Sequence, residues 1–217
     1  MSMDHRTKEA IRYLGYGRHA VDDKTLALVE EMFGELDRTV RRRIVYRIFE
    51  LEAAGDDQVR IGQLDIASRN LAKNMRGCAQ AVMLGATLGI ETDMLMKRYS
   101  ITEMSKAVVA QACAAAMLEE YLDGWQEELR EEKRKEGYFL RPRFSPGYGD
   151  FNICHQQDIL RMLDSARKIG LTMTDAHMLS PSKSVTAVIG MSREDIACHK
   201  VGCEACEKTD CEYRRGS

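Results

Sequence analysis

The chain has 217 residues, of which 44% are hydrophobic and 30% are charged, a composition typical of a folded globular protein and unlike that of a disordered chain. Its formal net charge is −2, from 32 basic and 34 acidic side chains interspersed along the sequence, so we predict no nucleic-acid partner. Charges near the N-terminus, and apolar runs well short of about 20 residues, predict neither a secretory signal nor a membrane span. The expected location is the cytoplasm.

The N-terminal half predicts two helices followed by an alternation of strands and a helix. Apolar residues at helical spacing indicate the helices, and runs rich in β-branched or buried apolar residues indicate the strands. The predicted elements are helices over residues 7–16, 23–40 and 68–75, and strands over residues 44–52, 59–61 and 79–89.

The longest predicted element is a helix that begins at Ser100. Ser100 and Glu103 have the spacing of a capping box, in which each side chain satisfies a free backbone N–H of the first turn. We expect the helix to end near Lys135, because Gly137 can stop it. Its apolar stripe is predicted to consist of Ile101, Met104, Val108, Ala112, Ala115, Leu118, Leu122, Trp125 and Leu129.

The remaining elements complete a single α+β domain. Prolines and glycines make residues 139–150 irregular, a helix is predicted over residues 156–168, and strands over 171–179 and 185–191 are predicted to form a hairpin through 180–183. The predicted fold is a mixed or antiparallel sheet covered by helices, one of them long and amphipathic. We assign residues 1–197 to this domain and residues 198–217 to a cysteine-rich tail.

The irregular segment concentrates groups that can bind a small ligand. Arg143 offers a planar fork of donors for a carboxylate, Pro146-Gly147 favours a tight turn, and Tyr148 has both a ring face and a hydroxyl. On composition alone, a surface turn with a salt-bridged arginine is the favoured interpretation. The residues by themselves leave both open.

The sequence Arg143-x-x-Pro146-Gly147-Tyr148, after a long amphipathic helix, resembles a motif of the activation domain of cobalamin-dependent methionine synthase. The run Glu120-Tyr121-Leu122 in the predicted helix is also similar to that domain. So is the region in which Leu171-Thr172 is followed by Met178, Pro181 and Ser184-Val185. The resemblance covers roughly residues 100–190, and it implies the fold of that domain in a stand-alone protein.

The resemblance implies an S-adenosylmethionine site that serves to rescue inactive cobalamin on a methionine synthase or another corrinoid protein. Flavodoxin or ferredoxin would then be the reductant. Carried over by position, Arg143 would bind the methionine carboxylate, the backbone of Ser145 and Gly147 would contact the ligand, Tyr148 would line the pocket, and Glu120 would meet the amino group.

The tail contains four of the seven cysteines, in the spacing Cys198-x4-Cys203-x2-Cys206-x4-Cys211. Four thiolates this close can surround one zinc ion or hold an iron–sulfur cluster, and in a reducing compartment a metal centre is a better explanation than two disulfides. The sequence therefore leaves two alternative functions open, an iron–sulfur electron-transfer protein and a zinc-stabilised interaction module.

Overall fold

The computed structural model describes residues 3–16, 21–53 and 55–195 of the chain. Within them, an antiparallel six-stranded sheet has the order β3-β2-β1-β4-β8-β5, and β6 and β7 form a separate two-stranded ribbon. The strands are β1 (Arg43–Ala53), β2 (Gln58–Ile61), β3 (Leu64–Ala67), β4 (Cys78–Thr87), β5 (Phe139–Leu140), β6 (Thr172–Met173), β7 (Leu179–Ser180) and β8 (Ser184–Ser192).

The helices lie on both faces of this sheet. In the described part of the chain, none of them is both long enough and apolar enough to cross a membrane. The helices are α1 (His5–Tyr13), α2 (Asp23–Thr39), α3 (Arg69–Asn74), α4 (Ile90–Thr102), α5 (Met104–Lys135), α6 (Gln156–Leu163) and α7 (Ser165–Ile169), with a short 3₁₀ turn at Ile153–His155.

The central strand β4 divides the protein into two hydrophobic cores. Successive side chains of a strand point to opposite faces of the sheet. Val82 and Leu84 therefore join one core, whereas Ala81 and Met83 join the other. β4 is hydrogen-bonded to β1 on one side and to β8 on the other, so it is covered on every side. This confirms the predicted buried strand at residues 79–89.

The first core lies between the sheet and a layer made of α1, α2, α4 and α5. The 32-residue helix α5 packs against each of the other three helices, and residues such as Met117 and Leu122 are fully buried. Burial of one such side chain contributes about 1.5–3 kcal/mol relative to leaving it in water. We refer to these four helices as the helical layer.

The second core lies on the opposite face of the sheet and is covered by shorter pieces. These are α3, α6 and α7, together with the buried ring of Phe151 from the irregular segment, and the sheet strands β2 and β3 also contribute residues to this core. None of the three helices exceeds 8 residues. We refer to them, with Phe151, as the short-element layer.

The predicted start of the long helix is wrong. Ser100 lies inside α4, where its hydroxyl donates to the carbonyl of Lys97, and the chain breaks at Glu103 in an extended conformation without a side-chain cap. The first part of the predicted stripe is consequently in solvent: Ile101, Met104 and Val108 are 78%, 63% and 54% exposed. Their spacing is helical across the break, but the break turns them away from the core.

The predicted C-terminal hairpin is also wrong. Only β6 and β7, which are two residues each, pair within residues 171–180. β8 instead joins the main sheet between β4 and β5. The nearly continuous apolar run of residues 185–191 is typical of a strand buried on both faces of a sheet, but it carries no information about which strand is its partner.

Candidate ligand-binding site

The irregular segment runs along the free edge of β8 after β5. The N–H of Arg141 donates to the carbonyl of Gly190 at 2.8 Å, and Phe144 and Val188 exchange two backbone hydrogen bonds of 2.9 Å. The chain then leaves the sheet as a turn that we call the ligand loop, residues 145–150. The prediction of an irregular, edge-like segment over residues 139–150 is confirmed.

The ligand loop is closed by its own backbone. Tyr148 N–H donates to the carbonyl of Ser145 at 3.2 Å, and Gly147 N–H donates to the carbonyl of Phe151 at 2.7 Å. Gly147 has a φ of +93°, a conformation that residues with a side chain rarely adopt. The predicted tight turn at Pro146-Gly147 is therefore present.

Arg143 reaches from this segment to the helical layer. One terminal nitrogen donates to the side-chain carbonyl of Gln126 at 2.8 Å, and the other lies 2.6 Å from a carboxylate oxygen of Asp123 and 3.2 Å from one of Glu119. These three partners occupy positions i, i+4 and i+7 of α5, which is one face of the helix. Arg143 is therefore salt-bridged, as in the interpretation of this segment as a surface turn. Its guanidinium also presents hydrogen-bond donors at the base of the loop.

The other predicted site residues are distributed around this arginine. Tyr148 is 70% exposed, so its ring is available to a ligand or a partner, and Ser145 is half-buried in the turn. Glu120 is exposed on α5 and lies near α1. Burial opposes the charged form of Arg6, but the hydrogen bond to Asp37 and the charge of Asp37, with a smaller effect of the charge of Glu120, raise the pKa of Arg6. The predicted roles of these residues in binding stay predictions.

Sequence reasoning missed the acidic and amide partners of Arg143. The signal was available, since Glu119, Asp123 and Gln126 have the spacing that places three polar side chains on one face of the predicted helix. Gln126 is only 6% exposed and also donates to the carbonyl of Arg141 at 3.4 Å. It therefore ties both ends of the segment 141–143 to α5.

The end of the ligand loop was missed as well. The carboxylate of Asp150 accepts hydrogen bonds from the hydroxyl of Ser68 at 2.5 Å, from Arg69 N–H at 2.8 Å and from Asn70 N–H at 3.1 Å, all at the start of α3. The hydrogen bond from Ser68, followed by those from the two backbone N–H groups, lowers the pKa of Asp150. The carboxylate is therefore ionised at neutral pH.

The four cysteines of the predicted metal centre, Cys198, Cys203, Cys206 and Cys211, lie outside the described residues, as does the whole tail. The zinc and iron–sulfur alternatives stay predictions. Within residues 3–16, 21–53 and 55–195, no three His, Cys, Asp or Glu side chains form a group suited to a metal ion.

Cys113 is buried in the first core, away from the ligand loop. Burial raises the pKa of Cys113 to about 12, so this thiol stays protonated and unreactive. A surface depression of about 300 Å³ is lined by Gln63, Leu64, Asp158, Arg161 and Met162, and no residue of the ligand loop contributes to it.

Comparison with known proteins gives an informative similarity among solved structures. No family model matches the chain, and no curated protein matches it. Among solved structures, it resembles the crystal structure of the MetH reactivation domain bound to AdoHcy, with a TM-score of 0.60 and 15% sequence identity. The match covers 92% of this chain and 85% of that chain. The chain has the reactivation-domain fold.

This similarity confirms the predicted resemblance to the activation domain and the predicted fold class. The similarity covers 92% of the chain and so extends well beyond residues 100–190, on which the prediction rested. At 15% identity it concerns the fold, and a fold hosts more than one function, so the site must be argued from its own residues.

Proposed function

We propose that this protein binds S-adenosylmethionine and assists the reductive reactivation of cobalamin carried by a separate methionine synthase or related corrinoid protein. The observation that supports this most is the reactivation-domain fold, because the solved structure of that fold contains AdoHcy. AdoHcy is what remains of S-adenosylmethionine after its methyl group has been transferred. The ligand loop, with Arg143 at its base, is the corresponding candidate site in this chain.

The amino-acid end of the ligand would be held by Arg143 and α5. A guanidinium binds a carboxylate through two parallel hydrogen bonds, but here Asp123 and Glu119 already occupy one terminal nitrogen. The ligand carboxylate would replace one of these side chains on Arg143, and the displaced carboxylate would then face the ligand's ammonium group. Both residues contact Arg143 directly, so they are better placed for this role than Glu120.

The rest of the ligand would lie along the turn. Gly147 N–H is engaged with Phe151, so its carbonyl oxygen is the group left to contact a ligand, and the carbonyl of Ser145 retains a second lone pair beside its bond to Tyr148 N–H. The exposed ring of Tyr148 offers a flat surface for the adenine. The site thus binds and orients the methyl donor and supplies no nucleophile.

In the proposed reaction, one electron from a reductant and one methyl group from S-adenosylmethionine convert cob(II)alamin into methylcobalamin, and AdoHcy is released. A corrinoid protein is the partner, and flavodoxin or ferredoxin is the proposed electron donor. Tyr148 and Ile153, which are 70% and 38% exposed next to the turn, provide apolar surface on the side where the partner would dock.

Calorimetric titration with S-adenosylmethionine and with AdoHcy tests the site. We expect Arg143→Ala to weaken binding by about 1.5–3 kcal/mol, the range for a hydrogen bond to a charged group. Arg130→Ala is the matched control, because Arg130 pairs with Glu127 of α5 and contacts no part of the loop that the structure describes. Equal affinity of the two variants would remove Arg143 from the site, and a wild type that binds neither compound at millimolar concentration would refute the proposed function.

A methylation assay tests the partner. A methionine synthase without its own activation domain, loaded with cob(II)alamin and supplied with reduced flavodoxin, should regain methylcobalamin when this protein and S-adenosylmethionine are added together. Omission of either should abolish recovery. If the protein binds the methyl donor but no corrinoid protein is methylated, the binding site stands and the assignment to cobalamin reactivation is wrong.

A further inference from the structure

The ligand loop is tied to both layers of the protein. At its beginning, Arg143 is bound to α5 in the helical layer. At its end, Asp150 is bound to the start of α3 in the short-element layer. The loop therefore crosses the edge of the sheet between two fixed points.

The attachment at α3 depends on close contact as well as on charge. Gly149 has a φ of +56°, a conformation that residues with a side chain rarely adopt, and a Cβ here would lie 2.5 Å from Nδ2 at the end of the Asn70 side chain, so a larger residue would strain the loop and displace Asn70. The absence of a side chain brings Asp150 within reach of Ser68 Oγ and of the backbone N–H groups of Arg69 and Asn70. Phe151 then enters the second core, where it stacks on Phe144 with 6.2 Å between ring centres.

The segment between the two fixed points needs such an anchor. Gly147 and Gly149 both have positive φ values, and glycine loses more conformational freedom on folding than any other residue. Without Asp150, the backbone that carries Ser145, Gly147 and Tyr148 would be held by its own turn hydrogen bonds and by the flanking residues Phe144 and Phe151 alone. The contacts of the Asp150 carboxylate order the loop before a ligand arrives. Less conformational entropy is then lost on binding, and this preorganisation favours binding.

We infer that Asp150 is a positioning residue for the ligand loop: its carboxylate fastens the loop to α3 and thereby holds the binding groups at Ser145–Tyr148 in place relative to Arg143. The effect on affinity rests on the proposed function, whereas the attachment itself does not. Asp150 touches no ligand and acts only through the loop.

Hydrogen exchange tests the attachment without any ligand. Asp150→Ala should speed exchange of the Gly147 and Tyr148 amides by at least about tenfold, because local opening becomes easier when the anchoring contacts are lost. Gly149→Ala should act in the same direction by pushing the loop off α3. Asp22→Ala is the matched control, since Asp22 accepts from Thr25 N–H and the Thr25 hydroxyl at the start of α2, far from the loop in sequence. Unchanged exchange in both loop variants would overturn the inference.

Titration with S-adenosylmethionine then tests the coupling to the site. We expect Asp150→Ala to weaken binding about tenfold. Asp150→Asn keeps one acceptor oxygen and should weaken binding less. The control Asp22→Ala should lower stability but leave the affinity unchanged. The losses of affinity from two substitutions do not add when one residue acts through the other. In an Arg143→Lys background, Asp150→Ala should therefore weaken binding by only about twofold. Faster exchange with unchanged affinity, or fully additive losses, would overturn the positioning role. A wild type that fails to bind refutes the proposed function, and the exchange measurement still decides the attachment.

Discussion

The two faces of the sheet are covered in different ways. On one face, α5 supplies buried residues over most of its 32-residue length, and its neighbours in the helical layer pack along it. On the other face, helices of 5 to 8 residues and a single aromatic ring from a loop complete the core. A long helix stabilises itself through many local hydrogen bonds, whereas short helices depend on tertiary contacts. In the short-element layer, the packing and stability can therefore depend on a single loop residue.

Truncation of one large buried side chain in each layer gives the strongest test of this difference. Phe151→Ala should lower the free energy of unfolding by about 3–5 kcal/mol and Leu122→Ala by about 2–5 kcal/mol, since each leaves a cavity in a fully buried site. Only Phe151→Ala should also accelerate hydrogen exchange in the ligand loop. Urea unfolding and exchange measured on the same samples check both statements, and equal loop exchange in the two variants would contradict the distinction.

Adjacent valines of α5 sharpen the boundary of the helical layer. Val109 is 5% exposed and Val108 is 54% exposed. Val109→Ala should cost about 1.5 kcal/mol, at roughly 0.8 kcal/mol for each buried methyl group removed. Val108→Ala should change stability by less than about 0.5 kcal/mol, as is usual for surface positions. A large loss at Val108 would show that this exposed end of the stripe is covered in solution.

A helix cap gives the smallest expected effect and carries a pH signature. Asp4 accepts from Thr7 N–H at 2.7 Å at the start of α1, and this backbone hydrogen bond lowers the pKa of Asp4. The stabilisation by the Asp4 carboxylate is present above the pKa of this group in the unfolded chain, about 3.9. It is lost as the pH falls through the lower pKa of the group in the folded protein. Asp4→Ala should therefore cost about 1 kcal/mol or less at pH 7. Thermal unfolding of both proteins at pH 7 and pH 2 checks this, and a difference that persists at pH 2 would exclude the carboxylate as its source.

The fold could be predicted from the sequence wherever a pattern is local. Runs of β-branched or apolar residues placed β1 and β4, and apolar residues at helical spacing placed α2 and most of α5, within a few residues of their observed bounds. They failed at Glu103, because an extended residue between two helices leaves the spacing of Ile101, Met104 and Val108 helical. They also failed at β8, because strand pairing is decided by contacts distant in sequence.

The candidate site could also be predicted only where its pattern is local. The turn at Pro146-Gly147 is specified by those two residues. The partners of Arg143 lie 17 to 24 residues away on α5, and those of Asp150 lie about 80 residues away at α3. No local pattern links an acid at the end of a loop to the start of a helix so far back in the chain.

The course of the segment 139–144 along β8 has a consequence for solubility. β8 is buried and apolar from Ala187 to Met191, and a strand of this kind with a free edge is a template for pairing with another chain. Here the edge is occupied by a two-residue strand and one isolated bridge at Phe144, interrupted by Pro142, so a neighbouring molecule finds few free backbone groups to pair with. Variants that detach this segment are therefore expected to form concentration-dependent aggregates by strand addition at β8.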